Sequence, residues 1–198
     1  MKGFLITPSL YTSWKYWMGS DDEGRAVILE TLNKIEKEKS PAMQAGIDFE
    51  DTIRKVCEGG ASEDFCVMEV AEIVCGGMWQ QRISKELDGD LVYGIADVIK
   101  RDTVYDIKRV SQYELGKYEG SIQYLIYMYA TEIPNFKYLI SDGREVYEEA
   151  YHWESQSLDL LKSRVADLKE SLLADAELSL AFTKNWKYRQ EENNGLLG

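Results

Sequence analysis

Apolar residues recur at helical spacing through Val27, Ile28, Leu32 and Ile35, behind a Ser20 to Glu23 pair spaced as a capping box, which predicts a helix. A second helix follows: Ser40 and Pro41 read as N-cap and N1, Phe49, Ile53 and Val56 form its apolar face, and Gly59-Gly60 ends it. A third runs from Ser62 to Val74 and closes at Gly76-Gly77. From Met78 the period changes. Ile83, Leu87, Leu91, Tyr93, Ile95, Val98, Val104, Tyr105, Ile107 and Val110, interrupted by Asp88-Gly89 and Arg101-Asp102 turns, predict a three-stranded meander. A helix from about Glu114 to Glu132 stops before Pro134, two strands flank the Asp142-Gly143 turn, and a long helix starts near Ser155. This order predicts an α/β fold with a central mixed β-sheet of about five strands and helices on both faces. No repeat, low-complexity tract or linker marks a boundary, so residues 1–190 are expected to form one domain and 191–198 a flexible C-terminal tail.

The chain has 198 residues, 44% of them hydrophobic, with thirteen tyrosines and five tryptophans, which places it among globular proteins with a sizeable core. No apolar run reaches the roughly 18 residues of a spanning helix, and the run before Pro8 is too short for a signal peptide, so a cytoplasmic, non-membrane protein is expected. Cys57, Cys66 and Cys75 form no CxxC pair, which excludes a zinc ribbon or thioredoxin-like motif; their odd number and apolar neighbours predict reduced, structural thiols. The net charge of −12 opposes phosphate binding in general, although Lys100, Arg101, Lys108, Arg109 and Lys117 gather positive charge in one stretch.

That stretch holds the chemistry. Leu91 to Asp97 leads through a tight turn to Val104-Tyr105-Asp106-Ile107-Lys108, so neighbouring strands each deliver a carboxylate. Asp106 and Lys108 share one strand face while Tyr105 and Ile107 share the other. Buried carboxylates beside a lysine are costly unless compensated, and a divalent cation would compensate them.

Gly94-Ile95-Ala96-Asp97 followed by Asp106-Ile107-Lys108 resembles the G-x-x-D and D-x-K elements of PD-(D/E)XK nucleases, closest to the RecB-like and phage-type (lambda-type) exonuclease branches. Upstream, Gly46-Ile47-Asp48-Phe49-Glu50 resembles the helical G-x-x-x-H/E element; downstream, Gln123-Tyr124-Leu125-Ile126-Tyr127 is similar to Q-x-x-x-Y. Thr7-Pro8-Ser9-Leu10-Tyr11 is a softer match to the S-P-S opening of such domains. The resemblance implies a restriction-endonuclease-like core. It implies further that Asp97, Asp106 and Glu50, with the Ile107 carbonyl, hold Mg²⁺ or Mn²⁺, that Lys108 orients the attacking water, and that Gln123 and Tyr127 brace the site toward substrate. Ser111 and Lys117 are placed where a DNA phosphate could be met, near an expected helix N-terminus. Trp14 and Trp17 occupy the region where an iron–sulfur member would carry its upstream cysteine, so no such cluster is implied, and no G-x-x-x-x-G-K-[ST] motor motif is present.

The expected activity is therefore a metal-dependent DNA exonuclease acting on linear ends in phage-type recombination or DNA processing. A recombination partner protein and a homo-oligomer are compatible with the resemblance. The alternatives are a structure-specific endonuclease and a nuclease-like interaction module without activity. His152, the lone histidine, reads as structural, and Asp88, Asp90 and Asp102 read as turn residues.

Overall fold

The computed structural model describes residues 3–20, 22–36 and 38–188, so the tail expected at 191–198 lies outside the described residues. In chain order the elements are β1 (Leu5–Ile6), α1 (Pro8–Met18), α2 (Asp22–Leu32), α3 (Pro41–Cys57), α4 (Phe65–Val74), β2 (Met78–Leu87), β3 (Asp90–Lys100), β4 (Thr103–Arg109), α5 (Gln123–Thr131), β5 (Asn135–Ser141), β6 (Val146–His152), α6 (Ser157–Ala174) and α7 (Ala176–Asn185). The strands form one mixed sheet of six in the order β1-β3-β4-β5-β6, with β2 paired along β3. β2 and β3 make a long antiparallel hairpin, β4 runs parallel to β5 through the α5 crossover, and β5 and β6 close as a hairpin.

Side-chain alternation divides the sheet between two cores. On one face Phe49, Ile53, Val67, Val70 and Val74 of α3 and α4 pack on Val98, Ile107 and Leu139. On the other, α1, α2, α5, α6 and α7 bury Leu10, Ile28, Leu125, Leu168 and Phe182 against Val92, Val104, Phe136 and Tyr138. Helices on both faces follow from this double burial.

Several elements differ from the pattern-based expectation for local reasons. The sixth strand, β1, is only two residues long, too short for any alternation to register. Helix α1 opens at the Thr7-Pro8-Ser9 motif, where Thr7 accepts the Leu10 amide as N-cap and Pro8 occupies the first turn. Ser20 does not start a capping box, because its hydroxyl donates back to the Tyr16 carbonyl. α4 starts at Phe65 under an Asp64 cap instead of at Ser62. Residues 114–122 are not helical: Gly116 takes φ +79°, and α5 begins only at Gln123. The last long helix breaks at extended Asp175, whose carboxylate caps α7 through the Glu177 and Leu178 amides.

The expectation of three free thiols is corrected. Cys57 and Cys75 form a disulfide across a Cα separation of 4.9 Å, leaving Cys66 as a buried free thiol. Cys57 ends α3 and Cys75 caps α4, so the helical hairpin brings together two residues 18 apart that sequence spacing could not pair. Among the described residues no helix is long and apolar enough to cross a membrane.

Candidate active site

β3 and β4 pair only from Val98–Tyr105 to the turn at Lys100–Thr103. One step beyond the last pair, at the point where the strands part, stand Asp97 and Asp106. The parting would orphan the Ile107 amide on its β3 side, and Asp97 Oδ2 accepts it at 2.8 Å. Asp106 is 1% exposed, and its Oδ2 lies 2.5 Å from Lys108 Nζ without the alignment of a hydrogen bond. Its other oxygen accepts from Gln123 Nε2 at 2.5 Å. Gln123 also donates to the Tyr127 hydroxyl at 3.1 Å, and Tyr127 donates to the Ile95 carbonyl at 2.7 Å. Thus α5 bolts the D-x-K strand to the G-x-x-D strand through two side chains one helical turn apart. Gly94 lies under Tyr127: a Cβ there would come 2.4 Å from the ring, so only glycine lets the tyrosine approach.

Lys108 keeps 30% of its side chain exposed and sits 5.9 Å from the centroid of Tyr138, against which Tyr118 stacks at 4.5 Å. Tyr138 donates toward Ser121 Oγ at 3.1 Å. Glu50 projects from α3, behind buried Phe49, and its carboxylate accepts from Gln80 Nε2 on β2.

The electrostatics tie these groups together. Burial pushes the Asp97 carboxyl well above the usual range, and the Asp106 and Glu50 charges push it further. Burial also raises Asp106, opposed by Lys108 and by the Gln123 bond. Glu50 is raised by burial, with the Gln80 bond opposing and Asp106 adding. Desolvation works against the Lys108 ammonium, but Asp106 and Asp97 together outweigh it, so the lysine stays protonated at neutral pH. Asp97, whose ionisation the Asp106 and Glu50 charges oppose, sits where a hard cation would relieve the repulsion. Among the described residues, however, no three His, Cys, Asp or Glu side chains are gathered as a ready metal cage.

A cleft of about 690 Å³ opens onto this corner, lined by Thr7, Ser9, Thr12 and Ser13 of the α1 region, Met43, Tyr93, Gly94 and Ile95, and by Lys108, Gln123 and Tyr127. The sequence-predicted residues Asp97, Asp106, Ile107, Lys108, Gln123 and Tyr127 therefore come together, and Glu50 on α3 feels the charges of Asp106 and Lys108. Ser111 and Lys117 are exposed, outside the cleft lining, and no helix starts beside them, because α5 begins at Gln123. The cationic stretch does not make a stripe: Lys100 donates to the Ile73 carbonyl and Arg109 to the carbonyls of Val110 and Ser141. His152 meets Asn135 Oδ1 at 2.8 Å at the end of β6. Asp90 is more than a turn residue, since its carboxylate takes the Phe4 amide and the Lys169 ammonium while 3% exposed. Sequence reading missed Gln80, Tyr118 and Tyr138, which carry no motif, and the wall supplied by α1, for which only the soft S-P-S match was a signal.

In three dimensions the chain is similar to the alkaline exonuclease LHK-Exo from Laribacter hongkongensis, with a TM-score of 0.54 at 14% identity over 90% of this chain and 92% of that one. The structure of LHK-Exo in complex with dAMP gives the same TM-score, 0.54, at 13% identity. A phage-related exonuclease from Haemophilus somnus 129PT matches with a TM-score of 0.50 at 12% identity, over 90% of this chain and 95% of that one. No protein-family model matches the chain, and no curated protein matches it at a significant level. At these identities the likeness establishes the fold: an α/β core of the kind found in these exonucleases, as the PD-(D/E)XK-like motifs lead one to expect.

Proposed function

We propose that this chain is a metal-dependent deoxyribonuclease that removes nucleotides from the ends of linear DNA. The observation that carries the reading is the meeting of Asp97, Asp106, Lys108 and Gln123 where β3 and β4 part, with Lys108 and Gln123 lining an open cleft. The donor set fits a divalent cation: the carboxyls are hard oxygen ligands, and Asp97, buried beside the Asp106 and Glu50 charges, is held well above the usual carboxylate range. Asp97, Asp106 and Glu50, with the Ile107 carbonyl, would hold Mg²⁺ or Mn²⁺. When bound, the cation supplies Lewis-acid polarisation of the scissile phosphate and acidifies a water nucleophile.

The remaining steps belong to the chain. Lys108, kept charged by Asp106 and partly open to the cleft, orients the attacking water and stabilises charge developing on the phosphate. Gln123 fixes Asp106 so that the carboxylate cannot swing onto the lysine with both oxygens. Tyr127 holds α5 against β3, and the Thr7–Ser9 hydroxyl pair at the start of α1 faces the cleft where a sugar or phosphate would lie. End-directed cleavage is supported by the exonuclease fold and by the mononucleotide, dAMP, bound in LHK-Exo. A role in phage-type recombination or DNA processing, with a partner protein and a homo-oligomer, extends the same reading.

A nuclease-like fold without activity is the competing reading, favoured by one observation: no closed metal cage is formed among the described residues. Product analysis separates the two. Incubation of linear duplex with Mg²⁺ should release mononucleotides, and Lys108→Ala should slow release by about 100-fold or more, the cost of losing one transition-state donor. Oligonucleotide products would indicate an endonuclease, and no products from the wild type would favour the inactive module.

A further inference from the structure

Five non-glycine residues take positive φ among the described residues: Lys34, Gln80, Asp88, Arg101 and Glu132. Lys34 follows α2, Asp88 and Arg101 lie in the turns that flank β3, and Glu132 is the C-cap of α5. Gln80 alone adopts it, at φ +51°, inside a strand. The β2–β3 ladder passes from Trp79–Val98 to Gln81–Ala96 and omits the pair between them, Gln80 and Asp97. A left-handed residue other than glycine is strained, so the kink needs a compensating reason. The Gln80 side chain supplies one: its amide donates to Glu50 Oε1, tying α3 to the sheet at the register position of Asp97.

We propose that Gln80 is a positioning residue of the cation site, holding Glu50 by one carboxylate oxygen at the register position of Asp97. The inference rests on the metal-dependent reading above. A glutamine suits the task because it donates a hydrogen bond without cancelling the carboxylate's charge; a lysine would neutralise Glu50 and compete with the cation. Partners of this kind orient a ligand that cannot orient itself. The rival explanation is structural: β2 pairs on one side only, and a kink blunts an edge strand.

The test uses the full chain and Mn²⁺ alone, with calorimetric titration and thermal melting of wild type, Gln80→Gly, Glu50→Gln and the double variant. Glycine accepts the φ of +51° without strain, so Gln80→Gly should melt at or above the wild type in the absence of metal. Its Mn²⁺ affinity should fall about tenfold or more. In the Glu50→Gln background the same change should cause no further loss, because Gln80 acts through Glu50. Wild-type Mn²⁺ affinity in Gln80→Gly, or an equal loss in both backgrounds, would overturn the assignment while leaving the metal site intact. A wild type that binds no Mn²⁺ would overturn the metal-dependent reading and this inference with it.

Discussion

Asp97 stands at a conflict between folding and function. Its carboxyl is raised well above the ordinary range by burial, then by Asp106 and Glu50, so the metal-free protein holds its proton more tightly than the unfolded chain does. Such a group contributes stability that is fully present below the unfolded pKa of about 4 and is lost as pH rises through the folded value. In EDTA, Asp97→Asn should therefore melt higher than the wild type at neutral pH, by the roughly 2–4 °C that each kcal/mol represents in a domain of this size. The gap should close toward pH 4, and saturating Mn²⁺ should reverse the order at neutral pH. A variant that melts below the wild type in EDTA at neutral pH would show that Asp97 is not under repulsion. At this scale the motif residues were legible because each needs a fixed chemical identity. Gly94 admits the Tyr127 ring, Gln123 spans Asp106 and Tyr127, and Lys108 must sit two residues beyond Asp106 to share its face. Gln80 was illegible because its role comes from an unusual φ and a contact with Glu50, 30 positions away.

The α3–α4 hairpin is the element that brings Glu50 to the sheet, and the Cys57–Cys75 disulfide ties its two ends. Closing a loop of 18 residues should stabilise the fold by about 3 kcal/mol, chiefly by restricting the unfolded chain. Denaturant titration with and without a dithiol reductant should show that loss, and Cys57→Ser with Cys75→Ser should reproduce it. An unchanged midpoint would mean that the two thiols are not joined in solution. Sequence pattern located α2, α3, α4 and the strands β2 to β6, because caps such as Ser40-Pro41 and turns such as Asp88-Gly89 act locally. It overextended α5 by starting it near Glu114, when Tyr118 stacks onto Tyr138 from a loop and the helix begins at Gln123. It overlooked α1, whose apolar positions Leu10, Tyr11 and Trp14 are interleaved with polar residues that line the cleft. The disulfide depended on how two helices pack, which cysteine spacing does not encode.

A chain of net charge −12 has little general attraction for a polyanion, and its basic stretch is largely spent on carbonyls and on Asp106. DNA binding should accordingly need a divalent cation that bridges carboxylates and phosphate. Ca²⁺ should raise affinity for a linear duplex at least tenfold over EDTA while supporting poor turnover, as a larger ion with looser coordination. Fluorescence anisotropy checks this, and equal affinity in EDTA would place the binding surface away from the three carboxylates. Helices on both faces of a mixed sheet were expected from the order of elements and the acidic balance from composition, whereas the internal use of Lys100, Lys108 and Arg109 emerged only in three dimensions. The central claim is end-directed, metal-dependent cleavage at the Asp97, Asp106 and Lys108 corner. It is tested most directly by incubating linear and closed-circular DNA with Mg²⁺ or EDTA, wild type against Lys108→Ala. Loss of the linear form alone, only with Mg²⁺ and only with Lys108 present, is the expected result; cutting of closed circles, or digestion that survives EDTA or the loss of Lys108, would contradict it.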